Sequence, residues 1–213
     1  MKRFGILGSG QVGQVMAEGL KSHGFEVRIG SRSPEKLKAF ARDRGITAGS
    51  FAETAAWAEA IVLAVKGLGA EEALRLAGRE HLEGKLVIDT TNPIADDPPE
   101  DGVLRYFTGP NESLMERLQK AAPQARLVKA FSCIGSGFMV DPKFPGGKPT
   151  MFICGDEITS KKEAAAICEE FGFEVEDMGT AKAARAIEPL AMLWCIPGLR
   201  ENRWSHAFKL LRA

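Results

Sequence analysis

The chain has 213 residues, 45% of them hydrophobic, enough to bury a full core as one large domain or two small ones. Lys plus Arg and Asp plus Glu balance at 28 each, which argues against a nucleic-acid or anionic-membrane surface, and no apolar run approaches bilayer-spanning length. Cys133, Cys154, Cys168 and Cys195 are scattered, with no C-x-x-C and no histidine at ligand spacing, so they read as buried thiols in a reducing compartment and no metal site is expected. A first strand beginning at residue 2 leaves no room for a secretory signal, and a cytoplasmic location is expected.

In chain order, an apolar strand from Lys2 to Leu7 runs into Gly8-Ser9-Gly10-Gln11-Val12-Gly13, a G-x-G-x-x-G turn. Val12, Val15, Met16 and Leu20 then recur at helical spacing. In a strand–turn–helix context the first glycine permits the tight turn, the second admits backbone to a pyrophosphate, and the third lets the helix pack on the sheet. The first-turn amides of that helix point free donors at an anion. Glycines can also merely turn a chain; strand, turn and helix in register favour the dinucleotide. The second strand, Phe25 to Gly30, ends in Ser31-Arg32-Ser33, where an NAD-selective site carries an acid for the ribose hydroxyls. Arg32, with Lys36 a helical turn later, suits a 2′-phosphate instead, so the cofactor is expected to be NADP. Ser33 and Pro34 also fit the cap and first position of a helix reaching about Arg44.

A short segment reaches Thr47, and Phe51 to Trp57 reads as a brief helix. Ala60 to Val65 is a continuous apolar run, the mark of a strand buried on both faces of a parallel sheet. Helix Glu71 to Gly78, strand Leu86 to Asp89, helix Asn111 to Ala122 and strand Ala125 to Phe131 follow. This alternation predicts an α/β fold, a Rossmann-type doubly wound parallel sheet over residues 1–131. Residues 132–213 are expected to form a smaller C-terminal α/β portion packed on it: strand Met151 to Cys154, helix Thr159 to Phe171, strand Phe173 to Asp177, and a helix from Ala181 to about Trp194 that Pro197-Gly198 ends. The Asp/Pro-rich segment Ala95 to Gly102 and the Pro/Gly-rich segment Pro142 to Pro149 read as mobile connectors, or as lids.

Ligands of such sheets lie beyond the carboxyl ends of the strands. Those ends carry Gly8 to Val12, Gly30 to Arg32, Ala64-Val65-Lys66, Asp89 to Pro93, and Ala130 to Cys133. Val65 is placed to flank the adenine or ribose; Lys66 suits a phosphate or ribose, or is simply an exposed loop lysine. Thr91 and Asn92 are placed at the nicotinamide end, although Asn-Pro also initiates turns by itself. Ser132 and Cys133 stand where a second ring would meet the nicotinamide. No general acid or base falls at these tips, since His23, His81 and His206 lie elsewhere, and no catalytic residue is assigned. A dehydrogenase acting on an alcohol must move a proton with each hydride; transfer between two conjugated rings needs mainly stacking and orientation.

Taken in order, Gly8 to Gly13, Gly30-Ser31-Arg32, Asp89-Thr90-Thr91-Asn92-Pro93, Val128-Lys129-Ala130-Phe131, Cys154-Gly155-Asp156 and Glu188-Pro189-Leu190 resemble the NADPH-dependent reductases of the deazaflavin coenzyme F-420. The chain is similar, too, to the reductase domains of the six-transmembrane metalloreductases. The resemblance implies hydride transfer between NADP(H) and a deazaflavin or flavin ring, and a homodimer. By position it gives Ser9, Gln11 and Val12 to the pyrophosphate, Ser31, Arg32 and Lys36 to the 2′-phosphate, and Ala64, Val65 and Asn92 to the ribose and nicotinamide. Many members carry Asn after Lys129-Ala130-Phe131, where this chain has Ser132. Two other readings keep the cofactor: a reductase of another small acceptor, such as a carbonyl or imine, and a non-catalytic NADPH-sensing module with a partner surface at Trp194, Pro197 and Trp204.

Overall fold

The computed structural model describes residues 2–213. Strand β1 (Arg3–Leu7) passes through the glycine turn into α1 (Gln11–Ser22) and β2 (Glu26–Gly30). A 3-10 turn at Pro34–Leu37 opens α2 (Lys38–Arg44), which is followed by β3 (Thr47–Gly49), α3 (Phe51–Trp57) and β4 (Ala60–Leu63). Then come α4 (Ala70–Ala77), α5 (Arg79–Leu82), β5 (Leu86–Asp89), α6 (Leu114–Ala121) and β6 (Arg126–Lys129). These six strands form one parallel sheet in the order β3-β2-β1-β4-β5-β6, the doubly wound Rossmann arrangement whose chain reverses direction between β1 and β4.

Period-two alternation divides the core between the two sheet faces. Phe4, Ile6, Val62, Ile88 and Val128 share one face with Met16 and Leu20 of α1, which covers the β1 and β4 side of it. Ile61, Leu63, Val87 and Leu127 face the other way, toward Leu74 of α4 and Leu118 of α6. The C-terminal portion adds β7 (Thr150–Ile153), α7 (Ile158–Glu170) and β8 (Glu174–Asp177), with β7 and β8 paired in parallel. It joins the α1 face: the fully buried Phe131 ring lies 5.9 Å from Phe171 and 5.8 Å from Phe173, and Met151 and Ile153 sit in the same cluster as Phe4 and Ile6.

The last helix, α8 (Ala184–Glu201), contains Pro189 as expected and differs from expectation by running on through Pro197. A proline removes one donor and one bond of the ladder, and packing can outweigh that local cost. Here Gly198 is pressed against the Trp204 ring, where a Cβ would stand 2.2 Å from the nearest ring atom. The helix stops instead at Asn202, which takes a left-handed φ of 54° and donates its amide to Gly198 O. The tail then folds back on α8, with His206 stacked on Trp194 at 4.9 Å and the Trp194 Nε1 donating to His206 O.

Other departures are local. Ser33 makes no side-chain cap; its amide donates to Ser31 Oγ at 3.1 Å, and the helix opens as a 3-10 turn. Ala95 to Gly102 is tied down rather than loose, since Ala95 N donates to Arg105 O at 2.8 Å and short bridges pair Ile94 with Tyr106 and Glu100 with Val103. Among the described residues no helix is long and apolar enough to cross a membrane.

One ion pair ties α8 to α6. Arg185 donates from Nε and Nη2 to both Glu116 oxygens at 2.9 and 2.6 Å, and Glu116 also closes a capping box with Ser113. The Arg185 guanidinium, against a smaller opposing effect of burial and with help from Ser113, holds the Glu116 carboxyl at about 2, well below its ordinary value of 4.5. A depressed folded-state value contributes stability present above pH 4.5 and lost as the pH falls toward about 2. Arg185→Met is therefore expected to move the acid-unfolding midpoint upward in a circular-dichroism pH titration. Superimposable titrations would show that the pair contributes nothing.

Candidate dinucleotide and acceptor site

Strand register sets the floor of the site. Gly30, Leu7, Leu63, Asp89 and Lys129 are successive partners across β2-β1-β4-β5-β6, so the residues just after them form one rim at the carboxyl edge. At the centre, Gly8 has φ 141°, and a Cβ there would stand 2.0 Å from Ala64 O. A Cβ at Gly13 would stand 2.2 Å from Gly8 O, so α1 approaches the turn closely because Gly13 lacks one, while the absence of a Cβ at Gly8 lets the turn lie against β4. Gly10 faces open space, and no side chain caps the start of α1. The first amides of the helix are thus left, at its positive end, for an anion.

Two adjoining cavities follow the rim. One, of about 540 Å³, is lined by Gly8, Ser9, Gly10, Ser31, Arg32 and Lys36, with Leu68 and Glu72 opposite. The other, of about 490 Å³, is lined by Gly10, Gln11, Val12, Thr90, Thr91 and Asn92, with Ile94 and Asp96 opposite. Ala64, Val65 and Lys66 belong to both. Every cofactor-binding candidate read from the sequence therefore lines this continuous groove. Ser31 is buried with its Oγ 3.3 Å from Ser9 Oγ, whereas Arg32 and Lys36 are exposed and make no ion pair among the described residues. Lys66 is also exposed, 3.7 Å from Asp96 across the groove.

The far end of the groove is polar and partly unsatisfied. Asn92 donates from Nδ2 to Ser132 O at 2.7 Å, and among the described residues its buried Oδ1 has no partner; Ser132 Oγ, outside the groove lining, is buried and unpartnered as well. Buried polar atoms are rarely left so, and an amide donor of a ligand in the groove would satisfy the Asn92 oxygen. Thr91 has its hydroxyl proton committed to Asp89 Oδ1 at 2.7 Å, and Thr90 donates to Leu63 O. Phe131, just before Ser132, holds φ at 59°, a strained value for a bulky residue, and that turn brings the Ser132 carbonyl to Asn92.

Nucleophilic chemistry is disfavoured here. Burial pushes the Cys133 thiol up to about 12, so it stays protonated at neutral pH. His23 lies between Asp141 and Glu170, and His206 lies on Trp194, both outside the groove lining. Among the described residues no group of His, Cys, Asp and Glu could hold a metal ion. Sequence reasoning had not paired Asp89 with Lys129, which lie 2.6 Å apart and fully buried beneath the rim. The signal was available, because opposite charges follow the apolar runs Leu86–Ile88 and Leu127–Val128 at the ends of two strands.

Comparison with known proteins agrees with this geometry. Residues 3–93 match a family described as NADP oxidoreductase, coenzyme F-420-dependent. The metalloreductase STEAP3 of Rattus norvegicus is 30% identical over an alignment covering 92% of this chain, and the chain spans 38% of that protein's length. A solved structure of a candidate F-420-dependent NADP reductase from Arthrobacter sp. FB24 is 31% identical, covers all of both chains and superposes with a TM-score of 0.92. A hypothetical protein from Sinorhizobium meliloti, 22% identical over all of this chain and 97% of its own, shares the fold with a TM-score of 0.75. With the doubly wound sheet and the glycine turn in place, the chain belongs to the coenzyme F-420-dependent family of NADP oxidoreductases.

Proposed function

We propose that the chain transfers hydride directly between NADP(H) and the deazaflavin ring of coenzyme F-420, its small-molecule acceptor. The observation that carries this reading is the chemistry of the Asn92 end. Its titratable lining groups among the described residues, Lys66 and Asp96, are exposed and face each other, while the remaining polar side-chain atoms at this end are the Asn92 amide and the hydroxyls of Thr90 and Thr91. Such a lining suits orientation of two rings more than proton transfer to a substrate oxygen.

In this reading the amides after Gly10, with Ser9, Gln11 and Val12, hold the pyrophosphate. Ser31, Arg32 and Lys36 hold the 2′-phosphate; Ala64 and Val65 flank the riboses, and Lys66 turns from Asp96 to a phosphate. Asn92 orients the nicotinamide carboxamide through Oδ1, and Ser132 borders the second ring. NADPH supplies the hydride, the oxidised deazaflavin takes it together with one solvent proton, and NADP+ and the reduced deazaflavin result. Residues 1–131 bind the dinucleotide and 132–213 close the acceptor side. Four free cysteines suit a reducing cytoplasm, and the family resemblance adds a homodimer.

The test is NADPH oxidation by the purified protein with oxidised coenzyme F-420, and with FMN in parallel. Rapid, saturable turnover with the deazaflavin is expected. NADPH binding without turnover on either ring would leave the fold and family standing and remove the proposed acceptor.

A further inference from the structure

Beneath the Asn92 end of the groove lies a buried charge cluster that does not line it. Asp89 and Lys129 are fully buried, and Glu188 is 1% exposed. The cluster follows from sheet geometry. Asp89 and Lys129 are register partners that continue the alternating series of Val87 and Leu127, so both side chains emerge on the α6 side at the carboxyl edge. Lys129 Nζ stands 2.6 Å from Asp89 Oδ2 and 2.9 Å from Glu188 Oε1. Glu188, on α8, accepts the amides of Leu114 and Met115 at the start of α6. Those amides, at the positive end of a helix, offset the second carboxylate.

A buried ion cluster is weak evidence of stabilisation, because apolar replacement of such a group is often neutral or better. Its remaining bonds say what else it does. Lys129 Nζ donates to Thr91 O at 2.8 Å. Asp89 Oδ1 accepts from Thr91 N at 2.9 Å and from Thr91 Oγ1 at 2.7 Å. The cluster therefore grips donor, acceptor and hydroxyl of the residue immediately before Asn92, whose Oδ1 is buried and unpartnered. Burial opposes the Lys129 charge, and the pull of Asp89 and Glu188 overcomes it, so the ammonium stays protonated above its ordinary range.

We infer that Lys129 is a positioning residue that, with Asp89, locks the Thr91–Asn92 turn so that Asn92 presents its amide oxygen to the nicotinamide carboxamide. The inference rests on the NADP(H) reading given under Proposed function. It separates the two ends of the cofactor: the cluster governs the nicotinamide end and is silent toward the adenine end, which Arg32 and Lys36 serve.

The experiment compares binding of NADP+ and of adenosine 2′,5′-bisphosphate, which carries only the adenine end, by calorimetry. The variants are Lys129→Met and the double variant Asp89→Asn with Lys129→Met, which removes both charges but keeps an acceptor for Thr91; thermal melts establish that each is folded. A folded variant is expected to lose about tenfold or more in NADP+ affinity, the scale of one charge-assisted hydrogen bond, with less than about a twofold change for the bisphosphate. Equal losses for both ligands, no loss for either, or failure of both variants to fold would assign the cluster to the fold alone and overturn the inference. A wild-type protein that binds neither ligand would overturn the NADP(H) reading instead.

Discussion

Gly10→Ala is expected to leave the melting temperature of the protein unchanged and to weaken NADPH binding by about ten- to a hundredfold, the value of one charge-assisted phosphate bond. Gly8→Ala is expected to fail differently, by unfolding. The two positions belong to one motif but meet different surroundings. At Gly10 the backbone is extended, with φ −74°, and a Cβ would meet no protein atom within 4 Å, so a methyl group intrudes only on what binds there. At Gly8 the same methyl group would stand 2.0 Å from Ala64 O on a backbone with φ 141°. Strain and overpacking there cost about 1–3 kcal/mol each, out of a total stability of about 5–15 kcal/mol. Thermal melts with calorimetric NADPH titrations separate the two effects. A Gly10→Ala protein that binds as well as wild type would place the pyrophosphate somewhere other than the start of α1.

Arg32→Ala is expected to lower the preference for NADPH over NADH by about ten- to a hundredfold, since a single charge-assisted bond contributes about 1.5–3 kcal/mol. The guanidinium is available for that bond. Among the described residues it makes no ion pair, and the nearby carboxylate of Glu72 is already held by Arg75, which donates at 2.6 Å from both Nε and Nη2. Arg75 is also the main reason the Glu72 acidity is raised, with Arg32 the smallest contributor. The ratio of kcat/KM for the two nucleotides is the measurement. An unchanged ratio would remove Arg32 from the 2′-phosphate site.

Much of this was legible in the sequence where a pattern was long or chemically punctuated. Helix α3 and strand β5 match expectation to the residue, the first because Ser50 and Glu53 make a capping box and the second because its apolar run ends in a charge. Strand β3 and helix α5, three and four residues long, are too short to carry a period, and neither was foreseen. Proline was over-read at Pro197, because the contact of Gly198 with Trp204 involves a tail whose path no local rule specifies. The groove candidates came from the glycine motif, from the rule about strand ends, which needs only strand identity, and from the family resemblance; Lys36 lies a turn beyond its strand end. The Asp89–Lys129–Glu188 cluster needed more: residues far apart in sequence become neighbours only once β5 lies beside β6 and α8 crosses α6.

The outer strands carry a consequence for self-association. At one border β3 offers only Thr47–Gly49, and at the other the end of β6 is already met by an antiparallel bridge between Lys129 and Cys154. Aggregation by edge-to-edge strand addition needs a long, flat, unpaired border, and the six-stranded sheet presents none among the described residues. Association of two copies by extending that six-stranded sheet is therefore disfavoured, and contacts made by surface side chains can be exchanged without disturbing it.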